Sequence, residues 1–456
     1  MPRWYRHPVL RMTPTDAQTF WISEKIPNDQ LLLYCFEGQS ESLEDVRRAV
    51  LDRASSIPDL CVRIREVPWH LDYPLWEPMP VDQSLVVTHR LPDSSWEQCI
   101  NAIEVLLENH VNPRATPWLL HLFEGVRGAP RCDGPALIAV LQVAHSLADG
   151  KRASAVARTL FSADEPKSTE IDRRSISSVE ILARAALRLP GQIYRLFRDG
   201  RAGHQAQLQL QADTESGVVA PQAPNRPKVT SNIAPDAHRL VRMVVRDAVD
   251  LRADGVSVTV GAMTAISVAM TNYLLAADGA VPPELGAEVT IAKDGKPKSR
   301  NHFRNAGVGL FPEVADLRER AERITESLAE RRARAAHPSS AASDRALEAV
   351  PGPLIRWGVQ QYDFTAIPET VTGNTVVSSV ARGAADLVFG GAAVRFTAGF
   401  PSLSPVMSLT HGVHGIGDTV TISITTSPSA IADIDHYEQL MHDAIDEVRD
   451  TFARRV

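Results

Sequence analysis

One short segment of the 456-residue chain could do acid–base chemistry: His145-Ser146-Leu147-Ala148-Asp149-Gly150. A histidine, with an ordinary pKa of about 6.5, can take a proton near neutral pH and return it. An aspartate four residues later, at a helix start, is placed for charge-assisted bonds that hold the loop. Gly150 permits a tight turn or a close backbone approach. Taken alone the pattern is short enough to arise by chance, and the bland alternative is a loop histidine beside an N-capping aspartate.

The elements around the segment favour chemistry. Residues 136–143 (Ala-Leu-Ile-Ala-Val-Leu-Gln-Val) read as a strand apolar on both faces, the pattern of a strand covered on each side. After Gly150, Ala153, Val156, Ala157 and Leu160 recur with helical spacing. The segment thus belongs on a strand-to-helix loop, where a rigid core presents side chains to a cleft. His411-Gly412-Val413-His414-Gly415 is a weaker candidate, for metal ligation. No cluster of Cys or Glu adjoins it to complete the ligands zinc needs, so it reads as a glycine-rich loop with incidental histidines, able to border a cleft. Gly415-Ile416-Gly417 is too short for a phosphate loop. The chain lacks a GxSxG elbow, which argues against a serine hydrolase.

Length points to two domains or two fused halves, since one core rarely serves more than about 250 residues. We divide the chain into residues 1–165, a linker over 166–230, and 231–456. Pro221, Pro224 and Pro227 mark the linker. Within it, residues 179–197 carry apolar residues at helical spacing among Arg184, Arg188, Arg195, Arg198 and Arg201. That is either a basic amphipathic helix on an anionic membrane or a connecting helix packed on the protein, and Pro190-Gly191 interrupts the pattern. Strands are expected at 31–36, 118–123, 240–245 and 419–425, the last with one core face and a hydroxyl face turned outward or toward a cleft. Helices are expected from Ser42, from about Ser95 to His110, over 260–275, and from Asp433, while residues 328–350 read as helix or mobile crossover.

A net charge of -7 argues against a nucleic-acid partner, and the tryptophans read as packing. No run approaches the ~20 apolar residues of a membrane span. Met1 to Leu10 lacks the pattern of a signal peptide. Four widely spaced cysteines (Cys35, Cys61, Cys99, Cys132) indicate neither zinc nor a disulfide scaffold, and read as reduced thiols of a cytoplasmic protein.

Taken together and in order, these segments resemble the bacterial wax ester synthase/diacylglycerol acyltransferase family, within the CoA-dependent acyltransferase superfamily. Its HHxxxDG signature aligns with Ala144 to Gly150. Met12-Thr13-Pro14-Thr15-Asp16-Ala17 with Phe20 resembles its "LsplDaaF" opening, and Pro117-Trp118-Leu119-Leu120-His121-Leu122-Phe123-Glu124-Gly125 its "PLWelhliegl" strand. Residues 258–275 resemble its "TvNDvvLAavagALRryL" helix, and Val377-Ser378-Ser379-Val380 its "vSNVpGP" segment. Three departures stand out. Ala144 replaces the first histidine, Gly261-Ala262 replaces the Asn-Asp pair, and the last segment lacks its Asn and prolines.

The resemblance implies an α/β (α+β) fold of two chloramphenicol-acetyltransferase-like halves with a central channel. It implies His145 as catalytic base, and Asp149, ion-paired with an arginine elsewhere, and Gly150 as structural residues of the active site. Acyl-CoA would be substrate, with no cofactor and no metal. The acceptor hydroxyl would belong to diacylglycerol or a long-chain alcohol, with peripheral attachment to the inner membrane face or lipid droplets. Two alternatives stay open: acylation of a polar natural product or cell-envelope lipid, and a non-catalytic lipid-binding paralogue.

Overall fold

A computed structural model describes residues 10–164 and 177–454. The N-terminal nine residues and the start of the expected linker, 165–176, lie outside the described residues. Two six-stranded sheets form two lobes. Their strands, in chain order, are β1 (Gln30–Glu37), β2 (Val86–His89), β3 (Trp118–Val126), β4 (Ala136–Val143), β5 (Leu240–Asp247), β6 (Gly286–Ala292), β7 (Phe303–Gly309), β8 (Thr375–Ala381), β9 (Val388–Phe389), β10 (Ala392–Phe400), β11 (Leu409–Ile416) and β12 (Thr419–Thr426). The N-terminal lobe has the order β9-β10-β1-β4-β3-β2, and the C-terminal lobe β7-β6-β8-β11-β12-β5.

The strand ahead of the histidine sits as its composition demands. All eight residues of β4 are buried, and it pairs antiparallel with both β1 and β3. The chain then turns through residues 144–149 into the helix Gly150–Leu160, whose N-cap is Asp149. The other expected helices form where capping residues start them. Ser42 accepts from the Asp45 N–H at the head of the helix Leu43–Ala54, and Ser95 caps Trp96–Glu108. In the C-terminal lobe the apolar helix Val258–Asp278 is capped by Ser257 and ended by left-handed Gly279. It is long and apolar enough to cross a membrane, yet its stripe from Val260 to Met270 is buried in the lobe's core. Gly261 is needed there, because a Cβ would meet the Leu251 carbonyl oxygen at 2.0 Å.

Three sequence expectations are corrected and a fourth is narrowed. The division at residue 231 does not follow the sheets, because the β9–β10 hairpin joins the N-terminal lobe, with β10 antiparallel to β1. Pro190 does not break the linker helix, which runs from Ser178 to Glu215. Pro190 and Ala186 are exposed, so water can serve the carbonyl that loses its N–H partner. Its later half packs on the helix Pro338–Ala349, where Gly203 faces Ala342 and Ala346. The segment 411–415 is not a loop but part of strand β11. Glycine is required there by crowding: a Cβ on Gly412 would meet the Gly399 carbonyl oxygen of β10 at 2.3 Å. Finally, of the two expectations for the hydroxyl face of β12, outward or toward a cleft, the outward one is excluded. Thr421, Ser423 and Thr425 are buried, and Ser423 Oγ donates to Gly399 of the other lobe's sheet.

Candidate active site between the lobes

His145 is half-buried on the loop after β4. Its Nδ1 lies 2.7 Å from Asn301 Oδ1. The Asn301 amide nitrogen donates to Asp16 Oδ1 (3.1 Å) and to the His145 carbonyl (3.0 Å). Neither acceptor can donate, so the amide orientation is fixed and its oxygen faces the imidazole. That oxygen accepts only, so Nδ1 carries the ring proton and the neutral ring keeps its lone pair on Nε2.

Asp16 holds this arrangement from beneath. Its buried carboxylate also accepts from the Asn301 N–H (2.9 Å), the Arg300 N–H (3.0 Å) and Thr13 Oγ1 (2.7 Å). A buried carboxylate is tolerable only with such a set of donors. Thr13 also caps the helix Pro14–Ser23, which fixes Asp16 in its first turn. Sequence reasoning gave Asp16 no role and did not single out Asn301. Asp16 stood inside a quoted motif, but residues so far apart are joined only by packing of the two lobes.

Asp149 clamps the same backbone from the other side. Its Oδ1 accepts from the Arg152 N–H and its Oδ2 from the His302 N–H, both at 2.9 Å. The implied ion pair is therefore corrected: among the described residues no arginine guanidinium pairs with Asp149. The arginines beside it, Arg152 and Arg300, both pair with Asp59 at 2.8 Å. Burial opposes the Asp59 charge, but Arg300 and then Arg152 hold its carboxyl below the usual range. Gly150 lies 3.3 Å from Val380 of β8, measured from a Cβ placed on it. Ala144 packs into the apolar core of the N-terminal lobe rather than toward the cleft, and Gly261-Ala262 are buried inside the C-terminal lobe.

His145, Gly150 and Phe303 line a cavity of about 480 Å³ between the lobes. Most of its wall is apolar, including Leu31, Leu32, Val380, Phe400 and Met407. Arg382 and His414 stand in the same wall, so the sequence-weighed His414 does border the cleft. Burial, and next the Arg382 charge, push the His414 pKa well below its usual value. Glu288, also in the wall, is raised by its burial against the opposing Asn305 hydrogen bond. A second cavity, of about 650 Å³, lies across the Gly150–Lys151 and His302–Phe303 junctions and shares Thr290 with the first. It is lined by Lys151, Lys293, Arg304 and Arg332 against Asp294 and Asp344. Among the described residues no three His, Cys, Asp or Glu side chains converge as metal ligands.

Residues 301–449 match the model of the WS/DGAT C-terminal domain, beginning at the asparagine that holds His145. No curated protein matched in a comparison of sequences. Among solved structures, the wax ester synthase/diacylglycerol acyltransferase from Marinobacter aquaeolei VT8 shares the fold with a TM-score of 0.63 at 16% identity, over 98% of this chain and all of that one. The starter condensation domain of rhizomide synthetase, solved in complex with C8-CoA and Leu-SNAC, gives 0.58 at 13% identity over 98% and 95%. The first condensation domain of the calcium-dependent antibiotic synthetase gives 0.58 at 13% over 98% and 97%. The fold is thus the two-lobed one of CoA-dependent acyltransferases and condensation domains.

Proposed function

We propose, on the premise that residues 301–449 are a WS/DGAT C-terminal domain in an acyltransferase fold, that the chain moves an acyl group from acyl-CoA to a hydroxyl acceptor. The observation that carries this reading is the Asp16–Asn301–His145 chain, which leaves Nε2 as the basic atom of a histidine on the cavity wall. Nε2 takes the acceptor's proton as its oxygen attacks the thioester carbonyl. The tetrahedral intermediate collapses with loss of the C–S bond, and the imidazolium returns the proton to the CoA sulfur. Proton transfer of this kind contributes about 10²–10⁴-fold. Positioning of two substrates supplies much of the rest. No acyl-enzyme is needed, and Asn301 accepts the Nδ1 proton's hydrogen bond throughout.

The two cavities suit two substrates. Lys151, Lys293, Arg304 and Arg332 suit the phosphates of CoA. The apolar cavity suits an acyl chain and an acceptor such as a long-chain alcohol or diacylglycerol. A polar acceptor is the second reading, favoured by Arg382 and His414 in that wall. Peripheral membrane attachment would use the first half of the Ser178–Glu215 helix, where Leu187, Tyr194 and Phe197 are exposed near Arg195 and Arg201.

Incubation with labelled acyl-CoA and a panel of neutral and polar alcohols tests the reading, scored by ester product and free CoA thiol. We expect product that disappears in His145→Ala. Acyl-CoA binding with no turnover on any alcohol would instead indicate a non-catalytic paralogue.

A further inference from the structure

Arg382 is 3% exposed and His414 5%, and both line the apolar cavity with His145. Among the described residues no carboxylate pairs with Arg382. One of its Nη1 contacts is the Thr397 hydroxyl and another, at 3.5 Å, the Leu33 carbonyl. Its guanidinium carbon lies 5.2 Å from the centre of the Tyr34 ring. Among the described residues its Nε has no hydrogen-bond partner, and neither has the buried His414 Nδ1 in the same wall. A buried charge is normally paired and a buried polar atom normally bonded, so an unpaired guanidinium and an unbonded imidazole nitrogen on one cavity wall call for an occupant.

The backbone makes room for this group. A Cβ on Gly399 would meet Arg382 Nη2 at 2.7 Å and His414 Cε1 at 2.8 Å. β8 and β11 run parallel with Val380 opposite His414, and Val380 touches Gly150. The pair therefore sits at the end of β8 beside the catalytic loop. The β8 segment resembles "vSNVpGP", and Arg382 stands where that motif has its glycine.

We propose that Arg382 and His414 form an anion subsite, so that the acceptor carries an ionised oxygen group, a carboxylate or a phosphate, on an apolar body. This deepens the acyltransfer reading and rests on it for the word acceptor. With the donor's phosphates assigned above to the cavity of Lys151 and Arg332, this one is left for the second substrate. The guanidinium offers a planar fork to the anionic oxygens, and the His414 imidazole stands beside it in the same wall.

Calorimetric titration of the full chain with decanoate, decyl phosphate and 1-decanol tests the subsite without turnover. One of the two anions is expected to bind about tenfold tighter than the alcohol, as for hydrogen bonds to a charged group. The stronger of the two identifies the group. In Arg382→Met the preference is expected to vanish, and Arg382→Gln makes the same test should the Met variant fail to fold. Equal binding of alcohol and both anions by the wild type overturns the subsite. So does a preference that survives loss of the arginine, which would place the anion in the donor's cavity. The acyltransfer reading is scored separately, by His145-dependent release of CoA thiol. Anion preference without thiol release keeps the subsite and removes the word acceptor.

Discussion

The two sheets treat polar residues differently. In the N-terminal lobe, β4 is buried throughout and holds one polar residue, Gln142, which bonds His121, Asp29 and the Asn109 carbonyl. In the C-terminal lobe, β11 and β12 bury His411, His414, Thr421, Ser423 and Thr425. The first sheet is a stiff support whose chemistry is confined to the loop that leaves β4. The second sends polar groups into the contact between lobes: His414 comes from β11, and Asn301 and Arg382 from the chain just before β7 and just after β8. One lobe holds His145, and the other supplies the asparagine that sets its tautomer.

Replacing a residue on each side of this division breaks it by different amounts. His145→Ala should lower acyl transfer by about 10²–10⁴-fold with little change in thermal midpoint, which steady-state assay and a melt would check. Near wild-type turnover would remove His145 from the chemistry. Asn301→Ala should lower kcat by about 10–100-fold, the scale of a lost hydrogen bond to a developing charge. Its KM for acyl-CoA should move little, because the lost bond matters most when the ring is protonated. An unchanged kcat would mean that the ring needs no help from the C-terminal lobe.

Stability sharpens the same contrast. Gly261→Ala should cost about 1–3 kcal/mol or more in denaturant melts, because backbone must move away from Leu251. Activity per folded molecule should persist, since the residue lies inside the C-terminal core. The smallest effect is on pH dependence. Burial lowers His121 to about 4 and His411 to about 3. Both folded values lie below the ordinary 6.5, so the folded state binds fewer protons than the unfolded one between them. Their stabilisation is full above about pH 6.5 and is lost as the pH falls toward 4 and 3, at about 1 kcal/mol for each between pH 7.5 and 5.5. Denaturant melts at those two pH values would show it. His411→Asn should flatten the slope by one histidine's contribution, leaving those of His121 and of His414, which burial also pushes well below its usual value.

Much of the scaffold was legible in the sequence because local rules produced it. An apolar run followed by His, Asp and Gly predicts a buried strand, a loop and a capped helix, and β4 with Asp149 is that arrangement. The alternation of β12 predicted its pairing geometry but not what its hydroxyl face meets, which depends on β10 from the other lobe. Asp16 and Asn301 reach His145 across 129 and 156 positions of sequence respectively, and Arg382 reaches Leu33 across 349. No periodicity encodes such meetings. Pro190 misled for the opposite reason, because a local rule yielded to a carbonyl that water can serve.

The β9–β10 hairpin also sets a clock for folding. As the chain leaves the ribosome, β1 can pair with β4 early, but its other edge waits for β10 about 250 residues later. At synthesis rates of about 5–20 residues per second that wait is roughly 12–50 seconds. Throughout it β1, a run of Leu, Tyr, Cys and Phe, presents an open apolar edge to any other nascent strand. The cleft is closed by the same late event, so a chain stopped before residue 392 would hold His145 and its loop without one wall of the cavity they face.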